Sequence, residues 1–252
     1  MGTYRADVFW DNVGRELLQR PDEDHSTIAS DDTPYYSLKR ARLFEELLDP
    51  AFRNVISILE IGQGPGGNLT RLRSNGKIVF GVDVSPFMLE LARRNGLENV
   101  QRIDGAHLPF KDHFCDAVFT CTVLQHNTHE NAADLLGEMA RVAAKEVHLF
   151  EDTAPIIFRD RQSHWLRPTS WYVRQLQSRG YELTSQKRLP LTCQEIAAAS
   201  ARVLVDRGLC QGARPTGRRL RLENILLRVA RPIDRIIPPM VGLTRMSFRK
   251  ID

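Results

Sequence analysis

LEIGQGPGGN, Leu59 to Asn68, is the stretch that decides how this chain folds. An apolar run ends in an acidic residue, and four glycines then fill the six positions from Gly62 to Gly67. Such a pattern closes a buried strand and opens a helix, because glycine turns sharply and lets a ligand approach the backbone. What sits on the turn is the question.

Working outward, residues 55–61 form a continuous apolar, β-branched run, the mark of a strand buried on both faces. Residues 69–74 continue as a helix, and 77–83 (KIVFGVD) as a second strand. Ser85-Pro86 then opens a helix through Arg94, with a capping residue before a proline at the first helical position. Residues 99–103, 116–121 and 146–150 add three strands, the last two separated by a helix over 130–142. Repeated strand–helix units of this kind give a parallel sheet covered by helices on both faces.

Beyond residue 153 the rhythm loosens. A helix over 169–179, a strand over 181–188 and a helix over 194–207 are followed by an arginine-rich helix over 218–231 and a closing strand over 242–251. The expected division is a helical lid over 1–50, an α/β core over 51–188, a helical insertion over 189–239 and a final core strand over 240–252. In the arginine-rich helix Leu222, Ile225, Leu226 and Val229 mark one apolar face. Pro232 breaks that stripe, which favours a cap packed on the domain over a helix resting on anionic lipid.

With 252 residues, 42% hydrophobic and 26% charged, the chain is ordinary globular material. No apolar run is long enough to span a bilayer, and Met1–Trp10 lacks a signal-peptide core, so the expected location is the cytosol, with the 218–237 segment as a peripheral membrane contact in the alternative. The four cysteines include no CxxC pair, which argues against a metal site or a disulfide framework. The net charge of +4 is divided unequally: residues 151–252 carry +10 and residues 1–150 carry −6. The second half therefore suits an anionic partner or a solvated surface.

Gly62-x-Gly64-x-x-Gly67 fits the dinucleotide fingerprint, and Asp83 stands where a ribose-binding carboxylate belongs. Glu60, however, would repel a pyrophosphate. With Asp83 and Asp104 it places three carboxylates at the ends of adjacent strands, a crevice for a cationic, hydroxyl-rich ligand.

LEIGQGPGGN, GVDVSPFMLELARRN, DGAHLPF and FCDAVFTCTVLQH, in that order, resemble the successive motifs of class I S-adenosylmethionine-dependent methyltransferases, in particular the small-molecule and lipid-directed group called type 11. The resemblance spans roughly residues 55–152. It implies a Rossmann-like α/β sheet of seven mostly parallel strands with the last reversed, and S-adenosylmethionine as cofactor, leaving S-adenosylhomocysteine. By position it implies that Gly62 and Gly64 face the methionine portion and that Glu60 fixes the turn and the ammonium. Asp83 would take the ribose hydroxyls, Val84 the adenine ring, and Asp104 with Gly105 and Ala106 the adenine edge. Thr120, Cys121 and Gln125 would flank the departing methyl. Trp10, Tyr35 and Tyr36, large side chains beside the polar stretch of 1–50, are candidates for the lid over the cofactor, and Arg40, entering the core, for the cofactor carboxylate.

For an oxygen acceptor a base belongs near the ends of the fourth and fifth strands. His126, His129, Glu151 and Asp152 are placed there by sequence, and His164 can arrive from the following loop. The absence of Asn-Pro-Pro-Tyr and Pro-Cys motifs disfavours base methylation and sequence-specific nucleic acid, leaving a metabolite, glycan or lipid-linked acceptor. The expected acceptor pocket combines 189–239 with 159–172, where Arg159, Arg161 and Arg167 would meet an acidic group beside Trp165, Trp171 and Tyr172. A cofactor-binding subunit without turnover and an NAD-dependent oxidoreductase are the alternatives.

Overall fold

A computed structural model describes residues 6–19, 32–105, 107–159, 165–209, 214–239 and 241–251. The chain begins with helices α1 (Ala6–Leu18) and α2 (Pro34–Arg42), the latter running through a π-helical stretch, Leu43–Leu48, into the single turn α3 (Asp49–Ala51). Strand β1 (Ser57–Ile61), helix α4 (Gly67–Ser74), β2 (Ile78–Asp83), α5 (Pro86–Arg94) and β3 (Val100–Arg102) follow. Then come β4 (Cys115–Cys121), α6 (His129–Val142) and β5 (Ala143–Thr153), and a two-residue hairpin of β6 (Phe158–Arg159) and β7 (Trp165–Leu166). Helix α7 (Thr169–Gln177), β8 (Tyr181–Arg188), α8 (Thr192–Val205), α9 (Gly217–Ile233) and β9 (Gly242–Lys250) complete it.

Seven strands form one sheet in the order β3-β2-β1-β4-β5-β9-β8. All run in one direction except β9, which is antiparallel to both β5 and β8. This is the Rossmann-like sheet with a reversed last strand. The order turns back between β1 and β4, so a crevice opens at their carboxyl ends, where doubly wound sheets bind ligands.

Alternation along each strand divides the core into two layers. Ile58, Ala117, Phe119 and Phe150 face α2, α8 and α9, where Phe52 packs 5.0 Å from Phe119 between ring centroids. Leu59, Ile61, Val118, Val147 and Leu149 face α6 and α7. Each such fully buried large side chain contributes roughly 1.5–3 kcal/mol relative to exposure. Local chemistry sets the helix starts. Ser85 accepts from the Met88 amide ahead of Pro86, and Thr128 and Thr216 cap α6 and α9 in the same way. Among the described residues no helix is long and apolar enough to cross a membrane.

Helix α9 departs from its expected packing. Its inward residues are Arg219, Glu223, Leu227 and Ala230, while Ile225 and Val229 are exposed. Glu223 accepts from the Tyr35 amide at 2.8 Å and lies 3.7 Å from Arg219, which also faces Asp206 at 3.9 Å. The charges are inside because they join the cap to α2. Of the aliphatic face expected to pack on the domain, Leu222 and Leu226 are half-buried and Ile225 and Val229 are turned outward.

Candidate active site

β1 delivers Glu60 to the switch in strand order and stops at a glycine turn. Gly62 and Gly64 have φ of 68° and 54°, the left-handed region that other residues enter only at a cost. A Cβ on Gly62 would stand 2.6 Å from the Val123 side chain, so the turn also seats the loop after β4. The Gly64 amide donates to Asp83 Oδ2 at 2.9 Å, and the Ser85 amide donates to Oδ1 at 2.9 Å. Asp83 is thereby fixed at the end of β2 beside the turn.

Glu60 is almost wholly buried, and Asn68 Nδ2 donates to its Oε1 at 2.7 Å. Its Oε2 has no hydrogen-bond partner. Burial first, and then the charge of Asp83, hold the Glu60 carboxyl well above its ordinary range. Burial likewise pushes Asp83 up to about 6, against the pull of its backbone donors. Two carboxyls this costly to ionise stand ready for a cation or for hydroxyl donors.

Both line a cavity of ≈ 230 Å³. Gly62, Gln63, Gly64 and Asn68 form its floor. Val84, Met88, Ile103, Gly105 and Leu135 form an apolar slot on one side. Cys121, Thr122, Val123, His126 and Asn127 close the other, and Trp10 of α1 covers it, edge-on to His126 at 5.5 Å. The residues fit S-adenosylmethionine: an unpartnered carboxylate oxygen for the ammonium, a second carboxylate for the ribose diol, and an apolar slot for the base.

Glu60, Gly62, Gly64, Asp83, Val84, Gly105, Cys121 and His126 are thus brought together as the sequence implied. Asp104 is not; it is exposed in a separate open depression with Arg102, His107 and Pro109, and shares only Ile103 with the cavity. Ala106 and His164 lie outside the described residues. Thr120 points to the opposite face of the sheet beside Glu151, and Gln125 is buried behind the loop. Burial is the main influence pushing Glu151 up to about 7, and its Oε1 accepts from the Val123 amide at 3.2 Å. It holds the 121–127 loop from behind.

His129 also belongs to the scaffold. Its Nδ1 accepts from Arg167 Nε at 3.0 Å, and burial and that guanidinium lower its pKa below the ordinary imidazole value. Arg167 is fully buried and donates further to the carbonyls of Leu124 at 2.8 Å and Asn127 at 2.6 Å, with Trp171 against its face. Its donors are committed to the 124–129 turn, so it cannot receive an acidic acceptor as expected. The side chains of Arg159 and Arg161 are outside the described residues.

A single position separates expectation from structure in α2. Tyr36 and Arg40 do not line the cavity; Tyr35 and Lys39 point inward instead. Lys39 Nζ lies 3.4 Å from Asp152 Oδ1, at the end of β5, with Tyr35 and Glu195 close by. Burial opposes the lysine charge, but Asp152 and the other groups outweigh it and hold Lys39 protonated. Burial raises Glu195 while Lys39 lowers it, leaving it above its ordinary range. The Cys121 thiol stands between Glu60 and this cluster, raised by burial and by Glu60 and Glu151, so it is not a thiolate. The cluster was missed because Asp152 and Lys39 are 113 positions apart. Trp10 lines the cavity, where it was expected as part of the lid, whereas Asn68, at the end of the glycine stretch, and Asn127 were given no role by the sequence.

Residues 59–150 match the family described as Methyltransferase domain. A methyltransferase of Geobacillus sp. (strain WCH70), itself described as uncharacterized, is 29% identical over 124 residues, covering 48% of this chain and 57% of that protein. The chain thus spans a little over half the length of that relative. Among solved structures, the [4+2]-cyclase SpnF superposes with a TM-score of 0.66 at 17% identity, covering 97% of this chain and 95% of that one. Magnesium protoporphyrin IX methyltransferase from Synechocystis PCC 6803, with bound S-adenosylmethionine, gives 0.54 at 18% identity over 72% of this chain and 87% of that one. Family match, fold and cavity coincide: residues 59–150 match a methyltransferase domain of the type 11 group, on a class I fold whose cavity residues fit S-adenosylmethionine.

Proposed function

We propose that the chain transfers the methyl of S-adenosylmethionine to oxygen or nitrogen of a small-molecule, glycan or lipid-linked acceptor. The observation that carries this reading is Glu60, a buried carboxylate whose Oε2 lacks a partner in a glycine-floored cavity. When bound, the cofactor supplies an already activated methyl. Glu60 would hold its ammonium, Asp83 its ribose, and Val84, Met88 and Ile103 its base. What remains for the protein is to align the acceptor and exclude water.

The acceptor site of this proposal lies beyond Cys121, between His126 and the Lys39–Asp152–Glu195 cluster. One lysine faces two carboxyls there, so the cluster suits a hydroxyl- or amine-bearing acceptor better than an acidic one. His126 lines the cofactor cavity and is the proposed proton acceptor for an oxygen nucleophile. His129 is not, because its Nδ1 is engaged by Arg167.

Titration calorimetry with S-adenosylmethionine, S-adenosylhomocysteine and NAD tests the cofactor, and transfer of labelled methyl to hydroxylated and amine-bearing acceptors tests the reaction. Binding of NAD with no response to S-adenosylmethionine defeats the proposal. Lys39→Met should lower transfer while leaving cofactor affinity within about twofold, since Lys39 does not line the cofactor cavity. A second reading has one specific support: the same fold, in SpnF, carries the name of a cyclase. Turnover of acceptor without release of S-adenosylhomocysteine would favour it.

A further inference from the structure

We infer that the outward face of the α8–α9 cap docks on an anionic lipid surface. The inference is independent of the acceptor. It rests on how the fold sorts the residues of 192–239, a stretch with nine arginines, four acidic residues, no lysine and no aromatic residue.

The four acids turn inward. Asp206, Glu223 and Asp234 are buried, and Glu195 joins the Lys39 cluster. Each of the buried three already has internal partners: Asp206 takes Thr216, Glu223 takes the Tyr35 amide, and Asp234 takes the amides of Cys193 and Gln194. Of the arginines only Arg219 is buried with them. Arg202, Arg207, Arg218, Arg221, Arg228 and Arg235 are exposed, and among the described residues of this stretch no acid is exposed to answer them.

Aliphatic side chains share that outer face. Ile225 and Val229 are 60% and 63% exposed, four positions apart and so one above the other on α9. Ile233 and Ile236 continue the line, the latter 84% exposed. Arg221 and Arg228, seven positions apart, form a row beside it. On α8, Val203 and Leu204 are 58% and 73% exposed. A contiguous aliphatic stripe in water marks an interaction surface.

Beside the end of α9 lies an open depression of ≈ 740 Å³, lined by Ile236, Ile237 and Pro238 with Arg231 and Arg235, and by Asp234, whose carboxylate already accepts from the Cys193 and Gln194 amides. Aliphatic walls with a guanidinium rim suit an acyl chain joined to a phosphate.

Charge decides among occupants. A second copy would set arginine rows against arginine rows with no exposed acid between them. Nucleic acid would leave the isoleucines unsatisfied, and the stretch has no aromatic ring to stack on a base. A bilayer with anionic headgroups accepts both features at once: phosphates meet the arginines and acyl chains cover the stripe.

The test is flotation of the full chain with phosphatidylcholine vesicles, with and without phosphatidylglycerol. Binding is expected only when phosphatidylglycerol is present and should weaken as salt is raised. The double variant I225E/V229E should lower vesicle binding at least about tenfold, its apolar insertion replaced by two charges. Both sites are exposed, so its circular dichroism and S-adenosylhomocysteine affinity should match the parent. R221E/R228E should abolish the preference for phosphatidylglycerol. The inference is overturned if the parent ignores phosphatidylglycerol vesicles or if I225E/V229E binds them equally well. It is also overturned if sedimentation velocity shows a parent dimer that I225E/V229E dissolves, since a second copy would then cover the face.

Discussion

Glu60 and Glu223 are both buried glutamates, one at the end of β1 and one in the middle of α9, and the difference between them separates the core from the cap. Glu223 is answered by the chain itself: its Oε1 accepts from the Tyr35 amide, and its Oε2, without a hydrogen bond, faces the Arg219 guanidinium at 3.7 Å. Glu60 is only half satisfied, by Asn68, and its other oxygen waits in the cavity. In the cap, buried charge holds helices to the fold. At the strand end of β1, a buried carboxyl is left open to the cavity, and stability bears the cost.

The largest effect expected is therefore on stability, in the cap. Glu223→Ala removes the acceptor for the Tyr35 amide and leaves Arg219 buried with only the more distant Asp206. Breaking such a pair costs about 3–5 kcal/mol, to be read from urea unfolding. S-adenosylhomocysteine affinity of the folded protein should stay within about twofold, a tolerance far below 1.4 kcal/mol. A normal unfolding midpoint would break the comparison.

Glu60→Gln and Asp83→Asn should behave in the opposite way. Each keeps the shape and loses the charge, so cofactor affinity falls. Stability should hold or rise in Glu60→Gln, whereas Asp83→Asn turns one acceptor of the Gly64 and Ser85 amides into a donor and loses that bond, at about 1 kcal/mol. A hydrogen bond to a charged group is worth about 1.5–3 kcal/mol, or roughly tenfold to a hundredfold in dissociation constant for each variant. If either variant unfolded while still binding the cofactor normally, the two buried carboxyls would be scaffold like Glu223.

How far the sequence revealed this depends on the range of the interactions. The glycine turn, Glu60 and Asp83 are legible because they lie within one strand–turn–helix unit and its neighbour, where spacing fixes position. The sheet with its reversed last strand is legible for the same reason, strand by strand. Helical periodicity correctly finds α9 but does not say which face points inward. That is settled by Tyr35, 188 positions away, whose amide needs Glu223. Arg40 was expected at the cofactor carboxylate, whereas Lys39 turns inward toward Asp152, 113 positions away and so out of reach of local spacing. Asp104 was placed at the adenine by family position alone, and the chain after β3 turns it outward.

Two glycines sharpen the core side of the comparison. Gly62→Ala and Gly64→Ala both force a side chain into left-handed backbone, at about 1–2 kcal/mol. Only at Gly62 does the new methyl also meet Val123, whereas nothing lies within 4 Å at Gly64. Chemical unfolding should rank Gly62→Ala below Gly64→Ala. Equal stabilities would mean that the 121–127 loop yields freely and is not seated by the turn.

The smallest effect is one of pH, and it sets cofactor binding against the stability of the empty protein. Asp83 has a folded pKa of about 6, above the ordinary 3.8, because burial penalises its charge. A raised carboxyl binds its proton more tightly in the folded state, so its contribution to stability is present below about 3.8 and is lost as pH rises through about 6. Ribose hydroxyls and a sulfonium cation favour the carboxylate, so affinity for S-adenosylmethionine should run the other way and fall below pH 6. With one group of pKa about 6, the dissociation constant should rise roughly tenfold between pH 7 and pH 5, about 1.4 kcal/mol. Proton release on binding, measured by calorimetry in buffers of different ionisation enthalpy, gives an independent reading of the same carboxyl. Glu60, also raised by burial, adds a dependence of the same sign. Asp83→Asn should therefore flatten the profile near pH 6 without abolishing it. An unchanged slope in that variant would assign the titration wholly to Glu60 and leave Asp83 already ionised in the empty cavity.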